Sequence, residues 1–153
     1  LCTQRKMNDI EFQFSEPDHG WMEVSVKNSD KNVCLAISDA PCDSISKLAQ
    51  VLLSLQSGSE QEEVEYSLEP EYALWQFVVE NEQMTLSVYP DSGRSNPILF
   101  TGNKDKILKR LYKSLRDLES MSCWSKPDAL ETIWSWEFPS RELNEFKAND
   151  KNA

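Results

Sequence analysis

The sequence predicts a single domain of the α+β class, with an antiparallel sheet of about six strands and two main helices packed on one face. Two patterns predict it. Runs of alternating apolar and polar residues recur along the chain, and successive side chains of a β-strand point to opposite faces. Two other segments carry apolar residues at spacings of three and four, which is typical of a helix with one buried face. A length of 153 residues suits one domain with its own core.

Three strands are expected before the first helix. Each is a run in which apolar residues alternate with polar or small ones, and the runs cover residues 10–15, 21–26 and 33–37. The segment Pro17-Asp18-His19-Gly20 separates the first two runs. It is a strong turn signal, because proline fixes φ and glycine tolerates a positive φ. The three strands should therefore follow one another as a meander.

The first helix is expected to start at Asp43 or Ser44, since either side chain can accept a hydrogen bond from a free backbone N–H. Gly58 should end it, because glycine readily adopts the left-handed conformation that follows many helices. The apolar stripe of this helix consists of Ile45, Leu48, Ala49, Leu52 and Leu55.

The segment from Glu62 to Tyr89 is expected to form the centre of the sheet. It contains three alternating runs, separated by a turn at Glu69-Pro70 and by a second turn near residue 81. The middle run, residues 72–79, is apolar on both faces, which suits a central strand covered on both sides. Trp75, Phe77 and Val79 are the expected core residues of this run.

A second helix is expected after a loop at residues 91–97 and a short apolar run at residues 98–100. Asn103 can cap it, and it should run to about Met121. Its apolar stripe consists of Ile107, Leu108, Leu111, Leu115 and Leu118.

The C-terminal tail is rich in aromatic residues. Trp134, Trp136 and Phe138 alternate as on one face of an added edge strand, and we expect them to close the core, because large exposed apolar patches are rare on monomers. Residues 1–8 and 149–153 are polar and are expected to be disordered.

Composition argues against several classes of function. The formal net charge of −10 makes free nucleic acid a poor partner. The four cysteines form no C-x-x-C pair and the chain has one histidine, so no metal site is expected. Glycine, at four residues, is too scarce for phosphate-binding loops, and no cofactor is expected. No apolar run could span a membrane, and reduced thiols suit the cytoplasm.

The charged residues are unevenly distributed. From Leu48 to Gly93 the chain has no Lys or Arg but nine Asp and Glu, whereas basic residues crowd the second predicted helix. One interpretation is internal pairing, each exposed pair contributing about 0–1 kcal/mol. The other is an acidic surface for a basic protein partner, since carboxylates can mimic phosphates and speed encounter. The partner-binding side chains would then be Glu60, Glu62, Glu63, Glu65, Glu69 and Glu71.

A small acidic α+β chain with a Glu69-Pro70 turn leading into Trp75-Gln76-Phe77 resembles the immunity proteins of bacterial toxin systems, of the contact-dependent-inhibition and polymorphic-toxin type. The similarity covers about residues 9–121. The resemblance implies a bacterial, cytoplasmic inhibitor without turnover or cofactor, monomeric or dimeric. Such a protein binds one cognate toxin domain, often a nuclease, by placing acidic side chains in a basic cleft.

Two other classes of function stay open. His19 could serve as the general base of a small enzyme in which a cysteine is the nucleophile. Alternatively, the segment Trp134–Phe138 could form the interface of a homo-oligomeric adaptor protein, because tryptophan is common at interface hot spots. The segment Ser44-Ile45-Ser46-Lys47 matches the S-x-x-K pattern of penicillin-recognising acyltransferases, but the partner motifs are missing, so Ser44 is interpreted as part of a helix start.

Overall fold

A computed structural model describes residues 9–150, so our expectations for residues 1–8 and 151–153 lie outside the described residues. The described chain forms one seven-stranded antiparallel sheet in which the strands lie in chain order. The strands are β1 (Glu11–Phe14), β2 (Trp21–Lys27), β3 (Asn32–Ser38), β4 (Gln61–Ser67), β5 (Tyr72–Glu80), β6 (Gln83–Tyr89) and β7 (Ile98–Asn103). The predicted α+β class is confirmed, and the apolar run at residues 98–100 has become the seventh strand.

The two main helices form where the sequence predicts them. The helices are α1 (Ser44–Gln56), α2 (Lys104–Glu119), α3 (Ala129–Thr132) and α4 (Ser140–Asn149), with a 3-10 turn at Ser122–Ser125. The Asp43 carboxylate accepts from the Ser46 N–H at 3.1 Å, so Asp43 rather than Ser44 caps α1. Gly58 follows the end of α1 with a φ of +111°, as expected for a residue after a helix C-terminus.

The sheet curls around the core, and this curl brings its two halves together. The rings of Phe12 in β1 and Trp75 in β5 lie 5.7 Å apart. At the turn between β2 and β3, the Lys31 ammonium group donates to the Leu99 carbonyl of β7 at 2.6 Å. Helices α1, α2 and α4 close the concave side, where the buried residues of both halves form one cluster.

The sheet contains one offset joint, between β3 and β4. These strands pair at Ser38 and Ser67 alone, the last residue of each. Because the pairing is antiparallel, β3 and β4 extend away from this point in opposite directions. The rest of the β4 edge therefore lies beside the residues that lead into α1, and a cleft separates the two.

The middle strand departs from its prediction on one face. Trp75 and Phe77 are fully buried and Leu74 is nearly so, but Val78 is 40% exposed. The expectation that β5 is covered on both sides is therefore wrong at its C-terminal end. The reason is that α1, α2 and α4 pack on the concave face and leave this part of the convex face open.

The aromatic tail forms no edge strand. Its backbone instead bonds the turn before β2, where the His19 N–H donates to the Thr132 carbonyl at 2.8 Å. Trp134 is buried and so helps to close the core, as expected, whereas Trp136 is 39% exposed. The indole N–H of Trp136 donates to the Asp39 carbonyl at 2.7 Å, so backbone bonds to the turn together with side-chain contacts, rather than a strand ladder, anchor the tail.

A network of polar side chains links helix α4 to α2. Arg116 donates to Asn144 at 2.6 Å and to the Glu119 carboxylate at 2.8 Å. Burial opposes the ionisation of Glu119, but hydrogen bonds from Ser140 and Arg116 outweigh it and lower the pKa of this carboxyl group. The helix extends to Asn149, a residue that we expected in the disordered tail.

Candidate functional site

A cleft of about 750 Å³ lies between the start of α1 and strand β4. A volume of this size falls in the usual range of ligand-binding pockets. The residues that line it are Cys42, Asp43, Ser44, Lys47, Gln61, Glu62, Glu63 and Glu65. One wall thus comes from the start of α1 and the residues before it, and the other from β4.

The cleft is strongly acidic, since four carboxylates line it beside a single lysine. Asp43 is engaged in capping α1, and Glu62 accepts from the Ser59 hydroxyl at 2.6 Å. Glu65 lies 3.7 Å from Arg94, with both side chains about half exposed, so this pair contributes little to stability. Among residues 9–150, no side chain forms a hydrogen bond or ion pair with Glu63.

The basic residues of α2 do not neutralise this cleft. Arg110 pairs with Asp9 at 2.9 Å, and Arg116 pairs with Glu119 at 2.8 Å. Both pairs lie on elements other than β4. Within the described residues, no basic side chain of α2 forms an ion pair with a carboxylate of the cleft, and Glu65 pairs instead with Arg94.

The six carboxylates singled out in the sequence fall into two groups. Glu62, Glu63 and Glu65 lie together on the cleft. Glu69 and Glu71 are exposed at the far end of β4, flanking Pro70, whose peptide bond with Glu69 is cis.

Glu69 and Glu60 form hydrogen bonds near the two ends of β4. The Glu69 carboxylate accepts from the Ser38 hydroxyl at the offset joint. Glu60 precedes β4 and is exposed, and its backbone carbonyl accepts from the Val79 N–H at 2.8 Å. The structure thus brings three of the six predicted residues into one site and separates the other three from it.

One edge of β4 faces away from its partner β5. Just before β4, the Glu60 carbonyl accepts from Val79, and just after it the Leu68 N–H donates to the Glu71 carbonyl at 2.7 Å. In an antiparallel pair, hydrogen-bonded and non-hydrogen-bonded residue pairs alternate. The even-numbered residues of β4 therefore direct their backbone groups towards β5.

The odd-numbered residues direct their backbone N–H and C=O groups to the opposite edge, where the cleft lies. These residues are Gln61, Glu63 and Glu65, and the next one, Ser67, is the residue that pairs with Ser38 of β3. Among the described residues, no strand pairs with this edge before Ser67. We call this stretch, from Gln61 to Glu65, the free edge of β4.

The α1 wall of the cleft was not predicted from the sequence. Ser44 is only 1% exposed, and its hydroxyl has no hydrogen-bond partner among the described residues. Burial, followed by the charges of Glu65 and Asp43, raises the pKa of the Cys42 thiol. This thiol therefore stays protonated at neutral pH and is a poor nucleophile.

His19, the general base of the enzyme hypothesis, lies on an exposed turn. Its Nδ1 is 2.9 Å from the Asp18 carboxylate, and its side chain is 81% exposed. Burial raises the pKa of the buried Cys123 thiol, and burial followed by the Glu23 charge does the same for Cys34. These environments stabilise thiols rather than the thiolates that nucleophilic catalysis needs.

Residues 9–150 contain neither a helix suited to a membrane nor a cluster of metal-binding side chains. None of the helices combines the length and apolar character that crossing a membrane requires. No group of three or more His, Cys, Asp or Glu side chains in this part of the chain is arranged to hold a metal ion. Comparison with protein-family models, with curated proteins and with solved structures found no match to this chain.

Proposed function

We propose that this chain is a non-enzymatic protein-binding module, an immunity protein that binds and neutralises a cognate toxin domain through an acidic surface. The observation that supports the proposal most directly is the charge of the cleft. Glu62, Glu63 and Glu65 line it together with Asp43, and Lys47 is the one basic residue on its walls. A basic partner gains favourable electrostatic interactions there and is steered towards it during encounter.

The chemistry of nuclease toxins fits such a surface. A nuclease binds a phosphate backbone, so its active-site cleft carries positive charge. Carboxylates spaced along a strand can occupy the positions of phosphates without being substrates. Glu63 and Glu65 are exposed on the convex face of the sheet, where a partner can reach them without rearrangement of the core.

The test is rescue of a toxin-expressing cell. The candidate toxin is the protein encoded by the gene next to the gene of this chain, and it is expressed in a host that lacks both genes. Expression of the candidate toxin alone should arrest growth, and co-expression of this chain should restore growth. The double variant Glu63→Lys/Glu65→Lys should lose rescue and bind the toxin domain at least about tenfold more weakly at low salt.

A matched control separates a local effect from a general change of charge. The double variant Glu80→Lys/Glu131→Lys changes the net charge by the same amount at exposed positions outside the cleft, and it should rescue growth normally. The thermal midpoint of the Glu63→Lys/Glu65→Lys variant should stay nearly unchanged, because the Glu65–Arg94 pair is exposed. Unimpaired binding by that variant at low salt contradicts the proposal.

A further inference from the structure

We propose that the free edge of β4 receives an extended, cationic segment of the partner as an added antiparallel strand. This inference rests on the proposed function and specifies how the partner would bind. The backbone N–H and C=O groups of Glu63 and Glu65 point into the cleft, where no strand of the described chain pairs with them. Unpaired edges of this kind bind extended peptides by main-chain hydrogen bonds.

The side chains beside this edge specify the chemistry of the added strand. Glu63 and Glu65 are two residues apart and lie on the same, convex face of the sheet. Residues placed directly opposite them in an added strand would lie on that face too. Opposite charges in such cross-strand pairs are favourable, so lysine or arginine is expected at alternate positions.

The intervening residues of the added strand would point towards the α1 wall. The Ser44 hydroxyl on this wall is buried and has no partner among the described residues. Buried hydroxyl groups are normally hydrogen-bonded, and a small polar residue of the bound segment would provide the missing partner. The cleft therefore favours a segment in which basic residues alternate with small polar ones.

The first test uses synthetic peptides of seven residues, the length of β4, in which lysine alternates with threonine. If the lysines lie opposite Glu63 and Glu65 in an antiparallel pair, the lysine amides face β4 and the threonine amides face away. N-methylation of the two lysine amides that lie opposite Glu63 and Glu65 should weaken binding about tenfold, because two backbone hydrogen bonds are lost. N-methylation of two threonine amides keeps the same charge and should leave affinity unchanged.

The second test changes the protein. Glu63→Pro removes the carboxylate and also the N–H that faces the cleft, whereas Glu63→Ala removes the carboxylate alone. Proline is tolerated where a strand's N–H faces away from its partner, so the β4–β5 ladder should survive. We expect Glu63→Pro to bind the unmodified peptide several-fold more weakly than Glu63→Ala does. If Glu63→Pro fails to fold, the comparison of the methylated peptides decides whether the peptide binds as an added strand.

The possible outcomes separate this inference from the proposed function. Equal binding of both methylated peptides means that charge alone acts at the cleft, which overturns strand addition but leaves the proposed function standing. Failure of every peptide to bind also overturns it, and growth rescue still tests the function independently. If hydrogen exchange shows that the Glu63 and Glu65 amides become protected as the protein alone is concentrated, the occupant is a second copy and the inference is wrong.

Discussion

Tyr66 carries a polar hydroxyl group that is buried in the core at a cost in folding stability. Its side chain is fully buried, and its hydroxyl has no hydrogen-bond partner among the described residues. The ring packs edge-on against Trp75 with centroids 5.1 Å apart. Burial alone raises the pKa of Tyr66 well above its usual value, so the phenol is neutral at physiological pH.

Replacement of this residue by phenylalanine should stabilise the protein. Tyr66→Phe removes the unsatisfied hydroxyl and keeps the ring against Trp75, so the free energy of unfolding should rise by about 1 kcal/mol or stay unchanged. Urea unfolding of both proteins measures the difference. Tyr66→Ala serves as the contrasting variant, with an expected loss of about 3–5 kcal/mol by analogy with other large aromatic residues. A loss above about 1 kcal/mol for Tyr66→Phe would show that the hydroxyl is satisfied.

For individual residues, the sequence predicted the core well and the lining of the cleft much less well. Alternation within one strand is enough to bury Trp75 and Phe77, and both are buried. Cys42 and Lys47 reach the cleft because the segment around them lies beside β4, a segment distant in sequence. No local pattern reports which distant residues a side chain will face.

Among the elements, α2 combines an unfavourable charge with a good cap. Lys104 and Lys106 occupy its first turn, where the helix dipole disfavours cations. Two features offset this conflict. The Asn103 side chain accepts from the Lys106 N–H at 3.0 Å, and Asp105 places a carboxylate in the same turn.

The cap of α2 can be tested with two substitutions at one position. Asn103→Ala removes the acceptor and should lower the free energy of unfolding by about 1 kcal/mol. Asn103→Asp keeps the acceptor and adds a negative charge at the positive end of the helix, so stability should be unchanged or slightly higher. Thermal unfolding of the three proteins gives the order. Equal stability of the alanine and aspartate variants would mean that the cap is unimportant.

Elements were predictable where their own periodicity defines them. The two long amphipathic helices and the first six strands follow from spacing alone. Strand β7 showed only a three-residue apolar run, because Thr101, Gly102 and Asn103 join the sheet through pairing with β6. The segment Trp134–Phe138 was misread as a strand, because alternation of aromatic residues does not reveal that the preceding Thr132 and Ile133 carbonyls bond the turn before β2.

The whole molecule is one curled sheet whose halves meet both along the sheet and across the core. Along the sheet, strand pairing between the halves is limited, among the described residues, to Ser38 and Ser67. Across the core they meet through the rings of Phe12 and Trp75, and Ser114 of α2 donates to the Phe12 carbonyl at 2.8 Å. Meander order follows from the sequence, but the curl and the offset depend on long-range contacts that a single sequence does not display.

These contacts across the core should make unfolding a single cooperative transition. The halves share one hydrophobic cluster, so loss of either exposes the core of the other. Urea unfolding followed by tryptophan fluorescence and by far-ultraviolet circular dichroism should give the same midpoint. Two separated midpoints would mean that the β3–β4 joint divides the domain into independently stable parts.

The corner formed by Gly20, Asp39 and Ser135 has a consequence for the divergence of this chain. A Cβ atom at Gly20 would lie 2.9 Å from the Asp39 carboxylate, and the same carboxylate accepts from the Ser135 backbone N–H at 2.8 Å. A side chain at position 20 would thus displace the Asp39 carboxylate, which holds Ser135, a residue 96 positions after Asp39 in the chain. Because the Ser135 hydroxyl also donates to this carboxylate at 2.7 Å, changes at the three positions should be correlated during evolution. Their joint presence in a meander of similar length offers a signature by which remote relatives could be found.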